Sequence, residues 1–98
     1  MIIHTQKQIK MITNPLAKNF TCINKVLKSY PNSTNIRINE VFNPNEGWIK
    51  MWGVNLVNLT KENLNIVKNK GCTYVNIILT DEFGQTRYPD YSIKELEF

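Results

Sequence analysis

The residues of this 98-residue chain that could do chemistry are mostly aromatic. "NEGWIKMWGVN", residues 45–55, holds both tryptophans, Trp48 and Trp52, four apart with Lys50 between them. Indole rings bury large apolar areas and present π faces to cations, other rings and bases. The chemistry on offer is adhesion rather than bond-making.

The groups that make and break bonds are scattered. His4 is the single histidine and has no cysteine or serine at a suggestive spacing, so solvation is its plain role. Cys22 and Cys72 lie fifty residues apart with no CxxC, which removes the usual zinc spacings. Reduced thiols are expected, and no base stands near Cys22. Asp81 and Glu82 fall in a predicted turn, where Asp commonly bonds to backbone. No pair of the remaining acids points to general acid/base work. The four glycines stand singly, so there is no phosphate-cradling loop. The expectation is a protein that is not an enzyme, with no catalytic residue, cofactor or metal.

Composition sets the outer bounds. Ninety-eight residues make one small domain, able to bury roughly 60–65 % of its unfolded surface. Apolar content of 42 % and charged content of 20 % describe a globular chain. No apolar run approaches the ~20 residues needed to cross a bilayer. "MIIHTQKQIKMI" is too polar for a signal-peptide core, which predicts a cytoplasmic protein. Asn, Ile and Lys number 14, 12 and 10, and all three have AT-rich codons. That bias fits a low-GC genome and warns against reading each Asn or Lys as selected. The net charge of +4 and pI near 9.2 permit a nucleic acid or an acidic protein partner without choosing between them.

The elements that position the aromatics can be read in order. "QKQIKMIT" gives a weak strand. Asn14-Pro15 opens a helix, because Asn caps and Pro suits the first turn. Leu16, Phe20, Ile23, Leu27 and Tyr30, with Val26 beside them, recur at helical spacing. Tyr30-Pro31 ends the helix. Lys18, Cys22, Lys25 and Ser29 occupy the opposite, solvated face.

"NIRINEVFN" and "WIKMWGVNLVN" flank the turn "NPNEG" and predict a β-hairpin with its loop at 43–47. Partners then sum to 90. Phe42 faces Trp48, Glu40 faces Lys50, Ile38 faces Trp52 and Ile36 faces Val54, all on one side of the sheet. An ion pair buried in that side is expensive. The core should therefore stop near Trp52, leaving Phe42 and Trp48 as a partly exposed tip. The plainer alternative packs Trp48 under a helix end or loop.

Thr60 caps a second helix, "KENLNIVKNK", which Gly71 closes. "CTYVNIILT" is a strong strand, "DEFG" a turn, and "QTRYPDY" a returning strand. Pro89 confines that strand to a sheet edge. With partners summing to 165, Ile78 faces Arg87, Ile77 faces Tyr88 and Tyr74 faces Tyr91. "SIKELEF" is ambiguous between strand and helix.

The fold class is α+β: a small antiparallel sheet with two helices. The order β-α-β-β-α-β plus a C-terminal edge strand resembles the ferredoxin-like arrangement. The resemblance covers about residues 8–80 and depends on the weak first strand.

Two binding functions follow. In the first, Phe42, Trp48, Lys50, Tyr88, Tyr91, Arg37 and Arg87 contact a protein partner, since aromatics and Arg dominate interface energy and an edge strand accepts another strand. A tiny, low-GC binding domain of this kind looks like the accessory proteins of phages and mobile elements, some of which inhibit host defence machinery. In the second, a sheet face with aromatics and flanking basic residues stacks single-stranded RNA or DNA. "GWIKMWGV" departs from the RNA-recognition-module pattern at most positions. The plain role of Arg37 and Arg87 is solvation. The sequence leaves the oligomeric state open.

Overall fold

Ile23, Val26, Leu27 and Tyr30 recur every three or four residues, and helix α1 (Phe20–Ser29) turns this stripe onto the core. Ile23 and Val26 are fully buried, while Lys25, Lys28 and Ser29 face solvent. The computed structural model describes residues 20–96, with side chains from Ile23. The predicted helix start at Asn14-Pro15, the weak strand over 6–13, and the side chains of His4, Lys18 and Cys22 lie outside what is described. The helix stops where the sequence predicts. The Tyr30 amide donates to the Val26 carbonyl, and Ser33 returns its amide and hydroxyl to the Tyr30 carbonyl.

Strand β1 (Ser33–Asn43) is the spine of a curled antiparallel sheet. On one side it pairs with β2 (Gly47–Ile49) and β3 (Val57–Asn58). On the other it pairs with β4 (Tyr74–Asp81), which also takes β5 (Thr86–Arg87) and β6 (Asp90–Ser92). Among the described residues the two long strands are inner and the four short ones are edges, which limits open ladder groups.

The hairpin turn stands where the sequence puts it. Asn43 opposes Gly47, Phe42 opposes Trp48 and Val41 opposes Ile49. Gly47 takes φ +82°, a left-handed geometry that glycine adopts without strain. The rest of the expected register fails. After Ile49 the chain leaves the sheet in a turn closed by the Gly53 amide on the Lys50 carbonyl, with Gly53 at φ +65°. It rejoins five residues out of step, with Val57 opposite Ile38 and Asn58 opposite Arg37. The pairs Glu40–Lys50, Ile38–Trp52 and Ile36–Val54 do not form. Val54 is 90 % exposed. Trp52 still reaches the core, half-buried, but from the turn rather than from a strand.

A second irregularity changes the faces. Opposite β4 the register slips between Ile38 and Glu40, so Asn39 is an extra residue, a β-bulge. Ile36 and Ile38 point to the core before it, and Val41 and Asn43 after it. Phe42 and Glu40 are thereby turned to the opposite side from Ile36 and Ile38. The sequence reading had put all four together.

Helix α2 (Lys61–Asn69) begins at Thr60, whose hydroxyl accepts from the Asn63 amide, and buries Leu64 and Val67. It closes at Gly71, φ +91°. Strand β4 alternates cleanly, with Val75, Ile77 and Leu79 inward. Asp81–Gly84 turn the chain, two amides donating to the Asp81 carboxylate. The final pairs sum to 166 rather than 165. Arg87 therefore opposes Leu79, and Tyr91 opposes Val75. One step of slip moves every side chain to the other face, so Tyr91 turns to the core side. Pro89 lies at the edge as predicted, between β5 and β6, accepting from the Ile77 amide. The tail resolves as a short helix α3 (Ile93–Leu96). Ser92 and Glu95 cap it reciprocally, each side chain accepting from the other's amide.

The three helices among the described residues share one core cluster with the inward strand residues, so they cover one face. The protein is thus α+β, with a small antiparallel sheet. The ferredoxin-like order does not follow from this pairing. Ser33–Asn43 and Tyr74–Asp81 are direct antiparallel neighbours, and that order's first strand falls outside the described residues.

Candidate functional site

The sheet face turned away from the helices is built by the bulge and the hairpin turn together. Past Asn39, Phe42 points outward, and its register partners on both sides are aromatic: Trp48 on β2 and Tyr74 on β4. The Phe42 and Trp48 ring centroids are 5.4 Å apart at 62°, and those of Phe42 and Tyr74 are 6.4 Å apart at 78°. Edge-to-face contacts of this kind favour a fixed arrangement. Trp48 is 44 % exposed and Tyr74 47 %, while Phe42 between them is half-buried.

The backbone beneath this row is tied down. Buried Asn43 donates from Nδ2 to the Lys70 carbonyl at the end of α2, and its Oδ1 accepts from the Asn45 amide. The Thr73 amide donates to the Phe42 carbonyl. The row therefore sits on a braced support.

One step along the strands lies a polar row, Glu40–Asn76–Asp90. Asn76 Nδ2 donates to Asp90 Oδ1 at 2.7 Å and to the Tyr88 carbonyl at 2.9 Å, and its Oδ1 accepts from Asn39 Nδ2 at 2.9 Å. Among the described residues the Glu40 carboxylate has no hydrogen-bond or ion-pair partner. Arg37 lies farther along, opposite Ile78, and its Nε donates to Asn35. Of the described residues that register places on this face, Arg37 is the sole cation.

The sequence-predicted contact residues are only partly brought together. Phe42, Trp48 and Arg37 share this face. Lys50 is exposed in the turn after β2. Tyr88 is 59 % exposed between the edge strands. Tyr91 packs half-buried against the core, and burial pushes its hydroxyl pKa up. Arg87 lines a separate cleft of about 350 Å³ with Tyr30, Ser33 and Asp81. Tyr74 was missed. Its signal was the alternation of β4, which puts it on the side of Asn76 and Ile78, but the bulge that brings Phe42 to that side had no mark in the pattern.

Cys72 is buried, and desolvation raises its thiol pKa against the opposing pull of the Asn43 hydrogen bond and the Lys70 charge. A buried protonated thiol is a poor nucleophile. Among the described residues no three His, Cys, Asp or Glu side chains gather as metal ligands. No described helix is long and apolar enough to cross a membrane.

Comparison of the chain with protein-family models, curated proteins and solved structures finds no match.

Proposed function

We propose that this protein is a non-catalytic binding module that engages a protein partner through the sheet face that none of the described helices covers. The observation that carries the reading is the braced, half-exposed row Trp48–Phe42–Tyr74. Rigid aromatic side chains with large contact area at low entropic cost dominate binding energy at protein interfaces. Size and the Asn, Ile and Lys bias support a setting in a low-GC phage or mobile element, where such a face would occlude part of a host machine, its defence apparatus included.

The competing reading is single-stranded nucleic acid. Aromatics on an open antiparallel sheet are the feature that favours it. The charges on the face disfavour it, because Glu40 and Asp90 flank the rings and would repel phosphates.

Affinity capture from host cells, with and without nuclease, separates the two. The protein reading predicts a stoichiometric protein that survives nuclease treatment. Trp48→Ala should then weaken its binding by on the order of 2 kcal/mol while the melting temperature of the free domain stays nearly constant. Loss of all captured protein on nuclease treatment would overturn the reading.

A further inference from the structure

We propose that the aromatic row and the carboxylates beside it form a receptor for one basic side chain, arginine or lysine, presented by the partner protein. This rests on the protein-contact reading above and adds the chemistry of the partner.

The first ground is the rings. A cation within about 6 Å of a ring centroid is attracted to its π face, most strongly by tryptophan. Trp48 and Tyr74 each meet another ring at Phe42 alone among the described residues. Each outer ring therefore has a π face that no other ring fills, and both are nearly half exposed.

The second ground is charge. Glu40 lies two residues from Phe42 on β1, and Asp90 lies two residues from Ser92, the register partner of Tyr74. At about 3.3 Å rise per residue, each carboxylate's backbone stands roughly 7 Å from the aromatic row. A guanidinium over the Tyr74 ring, on the strand between those of Glu40 and Asp90, is thus within side-chain reach of both. Asp90 uses Oδ1 for Asn76 and keeps its other oxygen for an incoming donor.

The third ground is a missing internal partner. A regular hairpin would place Lys50 opposite Glu40. The chain turns out of the sheet at Lys50 instead, and Glu40 is left without a counter-ion among the described residues. A carboxylate beside apolar rings gains most from a cation that excludes water from it. The net charge of +4 repels strongly basic partners at long range, so the fit is to a single basic side chain rather than a polybasic tract.

The test uses the full chain, labelled with ¹⁵N, and short peptides alternating serine with arginine, leucine or glutamate, with single-stranded oligothymidylate as a fourth probe. The arginine peptide should shift the amides of residues 40, 42, 48, 74 and 90, and bind roughly tenfold tighter than the leucine peptide. The double substitution Glu40→Gln with Asp90→Asn should remove that preference without lowering the melting temperature. Asn at 90 keeps an acceptor for Asn76. Equal binding of arginine and leucine peptides at this face overturns the cation receptor and leaves the protein-contact reading standing. Shifts from oligothymidylate alone overturn both. Arginine binding that survives the double substitution, maps elsewhere or is absent overturns the receptor, while the capture experiment still decides the broader reading.

Discussion

Cys72 shows how one side chain reports on the packing around it. It is 5 % exposed, and desolvation holds its thiol protonated above the ordinary range. In a Cys22→Ser background, a thiol reagent should modify Cys72 slowly in buffer and at the free-thiol rate in denaturant. Rapid native labelling would place it at the surface. The raised pKa also fixes a sign. A group whose folded pKa lies above its unfolded value contributes stability below the unfolded value and loses it as pH rises through the folded one. Tyr91, also raised by burial, acts in the same direction. Stability should therefore fall above about pH 9, the ordinary thiol value, and a denaturant titration across that range checks it. Trp52 is the other informative residue. Packed half-buried from a turn, it should cost about 1–3 kcal/mol on truncation to Ala, below the ~3–5 kcal/mol typical of a fully buried Trp. Chemical denaturation of Trp52→Ala measures the difference.

Among the elements, the bulge at Asn39 decides the architecture of the site. Deleting Asn39 would remove the extra residue and leave regular alternation, with Ile38, Val41 and Asn43 still inward and Glu40 and Phe42 still outward. The deletion variant should therefore keep cooperative thermal unfolding, as should Asn39→Ala, because neither moves an inward residue of β1 to the other face. Differential scanning calorimetry of the pair gives the answer. The same element marks the boundary of what sequence could say. The turn at 43–47, the Thr60 cap, the alternation of β4 and the edge position of Pro89 were legible because each rests on local chemistry. The tail "SIKELEF" stayed ambiguous, because the helical run that Ser92 and Glu95 cap is only four residues long. The bulge was not legible, because an extra residue is defined only against a partner strand thirty-odd positions away. Gly53 and Asn55 did mark a turn inside "MWGVN". Apolar alternation through Trp52 and Val54 masked it and produced the false hairpin register.

At the scale of the whole molecule, the division of labour is simple. One sheet face meets three helices and buries the aliphatic residues. The other meets none of the described helices and carries rings, amides and two carboxylates. Among the described basic residues, register places Arg37 alone on this face, so the overall charge of +4 does not describe the part of this surface that is seen. This asymmetry is why composition pointed toward nucleic acid as readily as toward protein, and why the placement of Glu40 and Asp90 favours protein. Hydrogen–deuterium exchange of the full chain, free and bound to the captured partner, tests this most directly. Binding through the face that the described helices leave open predicts new protection at residues 40–42, 47–49 and 74–76, with α1 and α2 unchanged. Protection confined to the exposed faces of α1 and α2, with 40–42, 47–49 and 74–76 exchanging as in the free protein, would contradict it.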